Sequence, residues 1–94
     1  IKVTLKHENK ATSEKAAVFL KRILAEELGP HNVLGPQEPV ISKIRNQYLM
    51  EVLVKLGRKS PIQKMKEKLN NVCQSVEQEK DFKKLKITLD VDPL

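Results

Sequence analysis

The chain has 94 residues, enough for one small domain with a single core. Its 18 Lys and Arg against 12 Asp and Glu leave a net charge of +6, which indicates an anionic partner such as nucleic acid, an acidic peptide or a membrane surface. The single cysteine excludes an internal disulfide and a cysteine-rich zinc site, which favours a reducing, cytoplasmic location. No stretch approaches the roughly 20 apolar residues of a membrane span, so we expect a soluble protein without a membrane partner.

The first half of the chain predicts a strand, a helix and a second strand or loop. "IKVTLK", residues 1 to 6, alternates apolar and polar side chains, as a half-buried strand does. Thr12 or Ser13 can cap a helix that ends at Gly29-Pro30. Its apolar stripe comprises Ala16, Leu20, Ile23, Leu24 and Leu28. "HNVLG" then predicts a short strand or plain loop, and the missing initiator methionine suggests a domain cut from a longer protein.

The second half predicts a strand, a helix and a final strand. "YLMEVLVKL", Tyr48 to Leu56, is apolar at nearly every position, as in a central strand covered on one face and partly shielded on the other. Ser60-Pro61 provides a cap and a first-turn proline for a second helix. The apolar stripe of this helix comprises Ile62, Met65, Leu69, Val72 and Val76. Leu85 to Val91 alternates again, and Pro93 closes that strand.

The order β-α-β-β-α-β is typical of ferredoxin-like α+β domains. We therefore predict a four-stranded antiparallel sheet over residues 1–94, with the first and third strands central and both helices on one face. One domain occupies the whole length.

Enzyme signatures are mostly absent from the sequence. It has three glycines, no glycine-rich phosphate loop and no Gly-Lys-Ser/Thr motif, which argues against nucleotide hydrolysis by this chain. His7 and His31 lack the spacing of a metal site and are expected on the surface. Cys73 is expected to be half-buried in the second helix. We predict no catalytic residue, metal or cofactor in this chain.

The polar positions of the first and last strands predict a basic surface. In a split βαββαβ sheet the face away from the helices is open, and Lys2, Lys6, Lys84 and Lys86 would lie on it. Such a patch favours phosphates without reading sequence, although lysines on a solvated face also serve solubility. Stacking of bases, as in RNA-recognition motifs, is disfavoured because the exposed positions of strand one carry no aromatic residue.

A second candidate site lies in "GRKSPIQKMK", at the start of the second helix. Arg58 and Lys59 precede a helix N-terminus, whose free N–H groups attract anions, and Gln63 lies one turn beyond. A carboxylate or phosphate would fit there, and a basic turn in water is the alternative.

"VLGPQEPVISKIRNQYLMEVLVKL", together with the terminal "ITLDVDP", resembles the C-terminal domain of primosomal protein N′, the replication-restart DNA helicase of bacteria. The resemblance spans about Ile1 to Pro93. It implies a parent protein that unwinds DNA in the 3′ to 5′ direction with ATP, recognises abandoned forks and binds the acidic tail of single-strand-binding protein. The ATP, magnesium and zinc sites of such a parent lie in other domains.

The resemblance also implies roles for individual residues. The family's tail-binding residues match Lys59 and Gln63, beside Arg58, and Arg45 and Tyr48 match its Arg-x-x-aromatic motif. With Lys43, these last two are predicted to contact DNA phosphates, with docking on the helicase core and simple solvation as the alternatives.

Three apolar residues of the same segment, Val40, Ile41 and Ile44, are expected to pack on the core of the domain or on the missing helicase domains. Two functions from other classes stay open: a ferredoxin-like regulatory domain that binds a small metabolite, and a ribosomal-type RNA-binding domain.

Overall fold

The structure is a computed structural model that describes residues 1–55 and 61–90. Within these ranges the chain forms two helices and five strands. They are β1 (Lys2–His7), α1 (Lys10–Leu28), β2 (Val33–Gln37), β3 (Lys43–Ile44), β4 (Gln47–Val54), α2 (Ile62–Glu77) and β5 (Lys86–Asp90). Neither helix has the length and apolarity that crossing a membrane would require.

The strands form one antiparallel sheet in the order β2-β4-β1-β5, with β3 paired to β4 outside this path. The predicted α+β class is confirmed, and the first and third of the predicted strands, β1 and β4, are central. The prediction of four strands is wrong for the described residues, because Lys43–Ile44 folds back onto β4 as a fifth strand. This pairing covers only two residues and has no apolar run of its own, so periodicity could not detect it.

One face of the sheet carries the core. Val3 and Leu5 of β1 point towards the helices, as their alternation predicts, and Val52 lies beside them on β4. Both helices contribute to the same cluster, with α1 and α2 also in contact with each other. The buried helix residues are Ser13, Ala16, Ala17, Leu20 and Leu24 of α1, and Leu69, Cys73 and Val76 of α2. Cys73 is 5% exposed, so it is more deeply buried than predicted.

The ends of α1 are set by local hydrogen bonds. The predicted caps Thr12 and Ser13 are wrong, because the side chain of Asn9 accepts a hydrogen bond from the Thr12 N–H at 3.1 Å and caps a helix that begins at Lys10. Ser13 is buried inside the first turn, where its hydroxyl donates to the Lys10 carbonyl. Gly29 ends the helix as predicted, with φ at 93°.

"HNVLG" contributes to a strand, β2, and its centre is irregular. The register of β2 against β4 shifts between Leu34 and Gln37, which is a β-bulge. Gly35 lies in this bulge with φ at 106°, and a Cβ atom there would be 2.9 Å from the Glu51 carbonyl oxygen. Only glycine allows this close approach of the two backbones.

His7 is buried, so its predicted surface position is wrong, whereas His31 is exposed. The Nδ1 atom of His7 accepts a hydrogen bond from the Asn9 N–H at 2.9 Å, and Nε2 lies 2.6 Å from the Lys83 carbonyl oxygen. Because a carbonyl only accepts, His7 carries its proton on Nε2. The ring therefore joins the end of β1, the cap of α1 and the turn before β5.

The apolar residues of the proline-rich segment do not reach the core. Val40 is fully exposed, and Ile41 and Ile44 are 63% and 46% exposed. The expectation that they pack on the core of the domain is therefore wrong: β3 pairs with the first residues of β4, and none of the three residues belongs to the core cluster.

Some residues of the sequence predictions lie outside the described ranges. Before α2 these are Leu56, Arg58, Lys59 and Ser60, and at the C-terminal end they are Val91 and Pro93. Pro61 directly precedes α2, which begins at Ile62.

Candidate nucleic-acid interface

The segment "KIRNQY" forms a β-hairpin. Lys43 pairs with Tyr48 and Ile44 with Gln47, which leaves Arg45 and Asn46 as a two-residue loop. Both loop residues have positive φ, 50° and 64°, as a type I′ turn requires. Arg45 therefore lies at the tip of the hairpin.

The hairpin divides the predicted set of Lys43, Arg45 and Tyr48 between two faces. The Nζ atom of Lys43 lies 4.9 Å from the centre of the Tyr48 ring, a cation–π contact. Ile44 and Gln47 lie on the opposite face, and Arg45 extends the surface on that side. The structure therefore brings Lys43 together with Tyr48 and places Arg45 elsewhere.

Arg45 meets the predicted sheet lysines in a groove of about 430 Å³ on the sheet face away from the helices. We call this the outer groove. Its surface is formed by β1 in the middle, with the β3–β4 hairpin on one side and β5 on the other. Its lining residues are Lys2, Thr4, Lys6, Ile44, Arg45, Gln47, Leu49, Thr88 and Asp90. Two sites that are far apart in the sequence thus form one surface.

Leu49 forms part of the floor of the outer groove. It is 7% exposed but does not belong to the core cluster on the helix side. Its N–H donates to the Ser42 carbonyl at 2.8 Å, which holds the approach to β3 against β4. The outer face of β4 is therefore mixed, with Leu49 between the polar residues Gln47 and Glu51.

The charge of the outer groove changes along β1. At one end Lys2 lies opposite Asp90 and forms an ion pair with Glu51 at 3.1 Å. At the other end Lys6 lies directly opposite Lys86. In residues 1–55 and 61–90, neither Lys6, Lys86 nor Arg45 forms an ion pair. The positive potential is therefore concentrated at the hairpin end of the groove.

Lys84 and Lys86 line a smaller cleft beside this end. It has a volume of about 340 Å³ and shares Gln47 with the outer groove. Lys84 precedes β5 and has φ at 68°. It therefore does not follow the alternation of that strand, although the sequence analysis placed it on the same face as Lys86. Glu8 also lines this cleft and lowers its net charge.

The second predicted site is only partly described. Gln63 is exposed in the first turn of α2, and no side chain caps this helix end among the described residues. Arg58 and Lys59 lie outside the described ranges, so their distance from Gln63 stays a prediction.

A further cleft, of about 770 Å³, lies between α1 and the short turn Lys80–Phe82. Sequence reasoning missed it, although Lys15, Phe19 and Arg22 follow helical spacing. Phe19 and Phe82 meet there edge to face, with ring centres 5.6 Å apart. Glu14 and Asp81 accompany the two cations, so this cleft has no dominant charge.

Cys73 lies away from these surfaces and is chemically protected. Burial, with a smaller contribution from the nearby Glu77 carboxylate, raises the pKa of its thiol to about 12. A protonated thiol is a poor nucleophile, so Cys73 packs as a small apolar residue. Glu77 itself accepts a hydrogen bond from the Ile87 N–H at 3.0 Å, which occupies one backbone donor on the free edge of β5.

Comparison with known proteins gives one family. Neither the curated proteins nor the solved structures contain a match to this chain. The family model described as the primosomal protein N C-terminal domain matches residues 1–94, which is the whole chain. The chain therefore belongs to the primosomal protein N C-terminal domain family.

Proposed function

We propose that this chain is a non-catalytic, ferredoxin-like domain of a bacterial replication-restart DNA helicase, and that it binds DNA through the outer groove. The family membership supports a role in the primosome. The observation that carries the DNA proposal is the convergence of Arg45, Lys6 and Lys86 at one end of the sheet face, with no ion pair to any of them in the described residues.

Phosphate binding at this end has a physical basis. Each phosphate that a lysine or arginine neutralises releases condensed counterions, so DNA binding becomes stronger as salt is lowered. The opposite end of the groove contributes less, because Lys2 is already paired with Glu51. Of the predicted DNA-binding residues, Lys6, Lys86 and Arg45 should thus contribute most, Lys84 should assist, and Lys43 and Tyr48 form a separate contact.

A second part of the proposal concerns the acidic tail of single-strand-binding protein. Gln63 is exposed at a helix N-terminus, where backbone N–H groups and the helix dipole favour a carboxylate. Arg58 and Lys59 precede it in the sequence and would add charge-assisted hydrogen bonds.

The third partner that we propose is the helicase core of the same parent protein. Val40 and Ile41 form an exposed apolar segment that leads into the hairpin, and burial against another domain would remove this surface from water, whereas Ile44 lines the outer groove. ATP, magnesium and zinc would be bound by the other domains of the parent, which would act in the cytoplasm.

A titration of this chain against labelled forked DNA by fluorescence anisotropy, at about 50 mM and 200 mM salt, tests the DNA proposal. We expect salt-sensitive binding that weakens in the Lys43→Ala/Arg45→Ala variant, with most of the loss reproduced by Arg45→Ala alone. Unchanged affinity in the double variant would reject the role of the hairpin.

An acidic tail peptide in a parallel titration tests the second site, where Lys59→Ala should abolish binding. Absence of binding to both probes would mean that the domain acts by docking on the helicase core. A rise in melting temperature with a small metabolite, without DNA binding, would favour a regulatory domain, and a preference for structured RNA would favour a ribosomal-type domain.

A further inference from the structure

We propose that the outer groove binds one nucleotide of a single DNA strand, with its base along the floor and its phosphate between Lys6 and Lys86, where the groove borders the smaller cleft. This inference rests on the proposed DNA binding and specifies its ligand as single-stranded rather than duplex DNA.

The phosphate position follows from the register of the sheet. Lys6 and Lys86 are directly opposite on neighbouring strands, which places their Cβ atoms about 4.5–5.5 Å apart. Like charges in this arrangement repel and destabilise the pairing. An anion between the two ammonium groups converts that repulsion into attraction, and Arg45 on the hairpin can approach the same anion from the rim.

The groove also provides a surface for the base and sugar. Ile44 is 46% exposed and Leu49 contributes to the floor, so an apolar surface is available beside the lysines. The hydroxyl groups of Thr4 and Thr88, which are directly opposite on β1 and β5, can bond to polar edges of a base or sugar.

The far end of the groove excludes a second phosphate. Lys2 is held by Glu51 at 3.1 Å, and the carboxylate of Asp90 lies opposite it on β5. A backbone running along β1 would bring a phosphate next to Asp90. The strand must therefore cross the sheet at the hairpin end and direct a base, rather than a phosphate, towards Asp90.

The floor of the groove separates single strands from duplexes. β4 and β5 flank β1 and lie two strand spacings apart, about 10 Å, which is wide enough for one base. The bases of a duplex stay paired and stacked, so only an unpaired base can lie on this floor, and a duplex contacts the surface through its phosphates. A single nucleotide fits between the hairpin and β5, in a volume of about 430 Å³.

The first experiment compares single-stranded and duplex oligonucleotides of equal length, titrated against the 94-residue chain by anisotropy. The variant is Lys6→Ala/Lys86→Ala, and the matched control is Lys64→Ala/Lys80→Ala, which removes the same charge from exposed positions of α2 and the following turn. We expect about tenfold or greater loss of single-strand affinity in the variant alone. The slope of log K against log salt should become less steep by about 0.7, since the variant loses one phosphate contact and each single-strand contact contributes about 0.7.

Equal losses of affinity for single strand and duplex, or equal losses in variant and control, would contradict the binding of a nucleotide in the outer groove. Only a general electrostatic attraction to DNA would then remain. Failure of the wild-type chain to bind any DNA would instead reject the proposed DNA-binding function. The two failures are therefore distinguishable.

The second experiment follows methyl and amide NMR signals during titration with deoxycytidine 5′-monophosphate and, separately, inorganic phosphate. The nucleotide should shift the signals of Leu49 and Thr88 in addition to those of Lys6 and Lys86, and bind several-fold more tightly than phosphate. Identical affinities for the nucleotide and for phosphate, with signal shifts confined to the lysines, would contradict the binding of the base in the outer groove.

Discussion

The hairpin turn offers a local test of how Arg45 is positioned. Asn46 occupies a left-handed conformation with φ at 64°, and a β-branched residue there pays a steric cost of about 1–2 kcal/mol. The hairpin has little to offset this cost, because β3 pairs over two residues and the exposed Lys43–Tyr48 contact is worth about 0.5–1 kcal/mol. We therefore predict that Asn46→Val opens the hairpin while the core stays folded.

The amide of Leu49 reports this opening directly, because its hydrogen bond to the Ser42 carbonyl closes the approach to β3. A loss of about 1–2 kcal/mol corresponds to hydrogen exchange at Leu49 that is about 5- to 30-fold faster. The midpoint of thermal unfolding should change little, since Val40 and Ile44 lie outside the core.

Asn46→Gly is the matched control, because glycine adopts positive φ without the steric cost. It should leave Leu49 exchange within a factor of about two of wild type. If Asn46→Val also left Leu49 exchange unchanged, the type I′ turn would not be what holds the hairpin, and the placement of Arg45 at its tip would need another cause.

Three further predictions concern stability and reactivity. His7→Leu should lower the free energy of unfolding by about 2–4 kcal/mol in urea denaturation, because it leaves a backbone N–H and a carbonyl without partners; a loss below about 0.5 kcal/mol would contradict the buried hydrogen bonds. Gly35→Ala should reduce the melting temperature by several degrees, since the new Cβ meets the Glu51 carbonyl at 2.9 Å with φ at 106°; an unchanged melting temperature would show that β2 can shift. Cys73 should resist iodoacetamide at pH 8 until the chain unfolds, because its thiol stays protonated. The free energy of unfolding should fall as the pH rises from about 9 towards 12, because the thiol ionises first in the unfolded state, which then binds fewer protons than the folded state. A free energy of unfolding that does not change over that pH range would refute the raised pKa.

The elements with strong periodicity were predictable because their patterns are local. Alternation in β1 places Val3 and Leu5 in the core, and the three- and four-residue steps of α2 place Leu69 and Val76 there. Gly29 ends α1 for an equally local reason, its positive φ. Composition likewise determined an excess of positive charge, which does not depend on the fold.

The candidate site depended on contacts that the sequence does not encode locally. The register between β1 and β5 decides that Lys6 faces Lys86 while Lys2 faces Asp90, and these three lysines consequently differ in charge environment. His7 is buried because Lys83, 76 residues away, supplies its second hydrogen-bond partner.

The hairpin shows that the sequence also fails to encode the relative placement of residues that are close to each other in the chain. Lys43, Arg45 and Tyr48 are close in sequence, but a two-residue turn and the alternation of side chains across the pleat place them on different faces. Sequence alone therefore determined which segments form helices and long strands, because that depends on periodic burial. Only the tertiary structure decided which cations meet in the outer groove, because neighbours across a sheet are set by register and turn geometry.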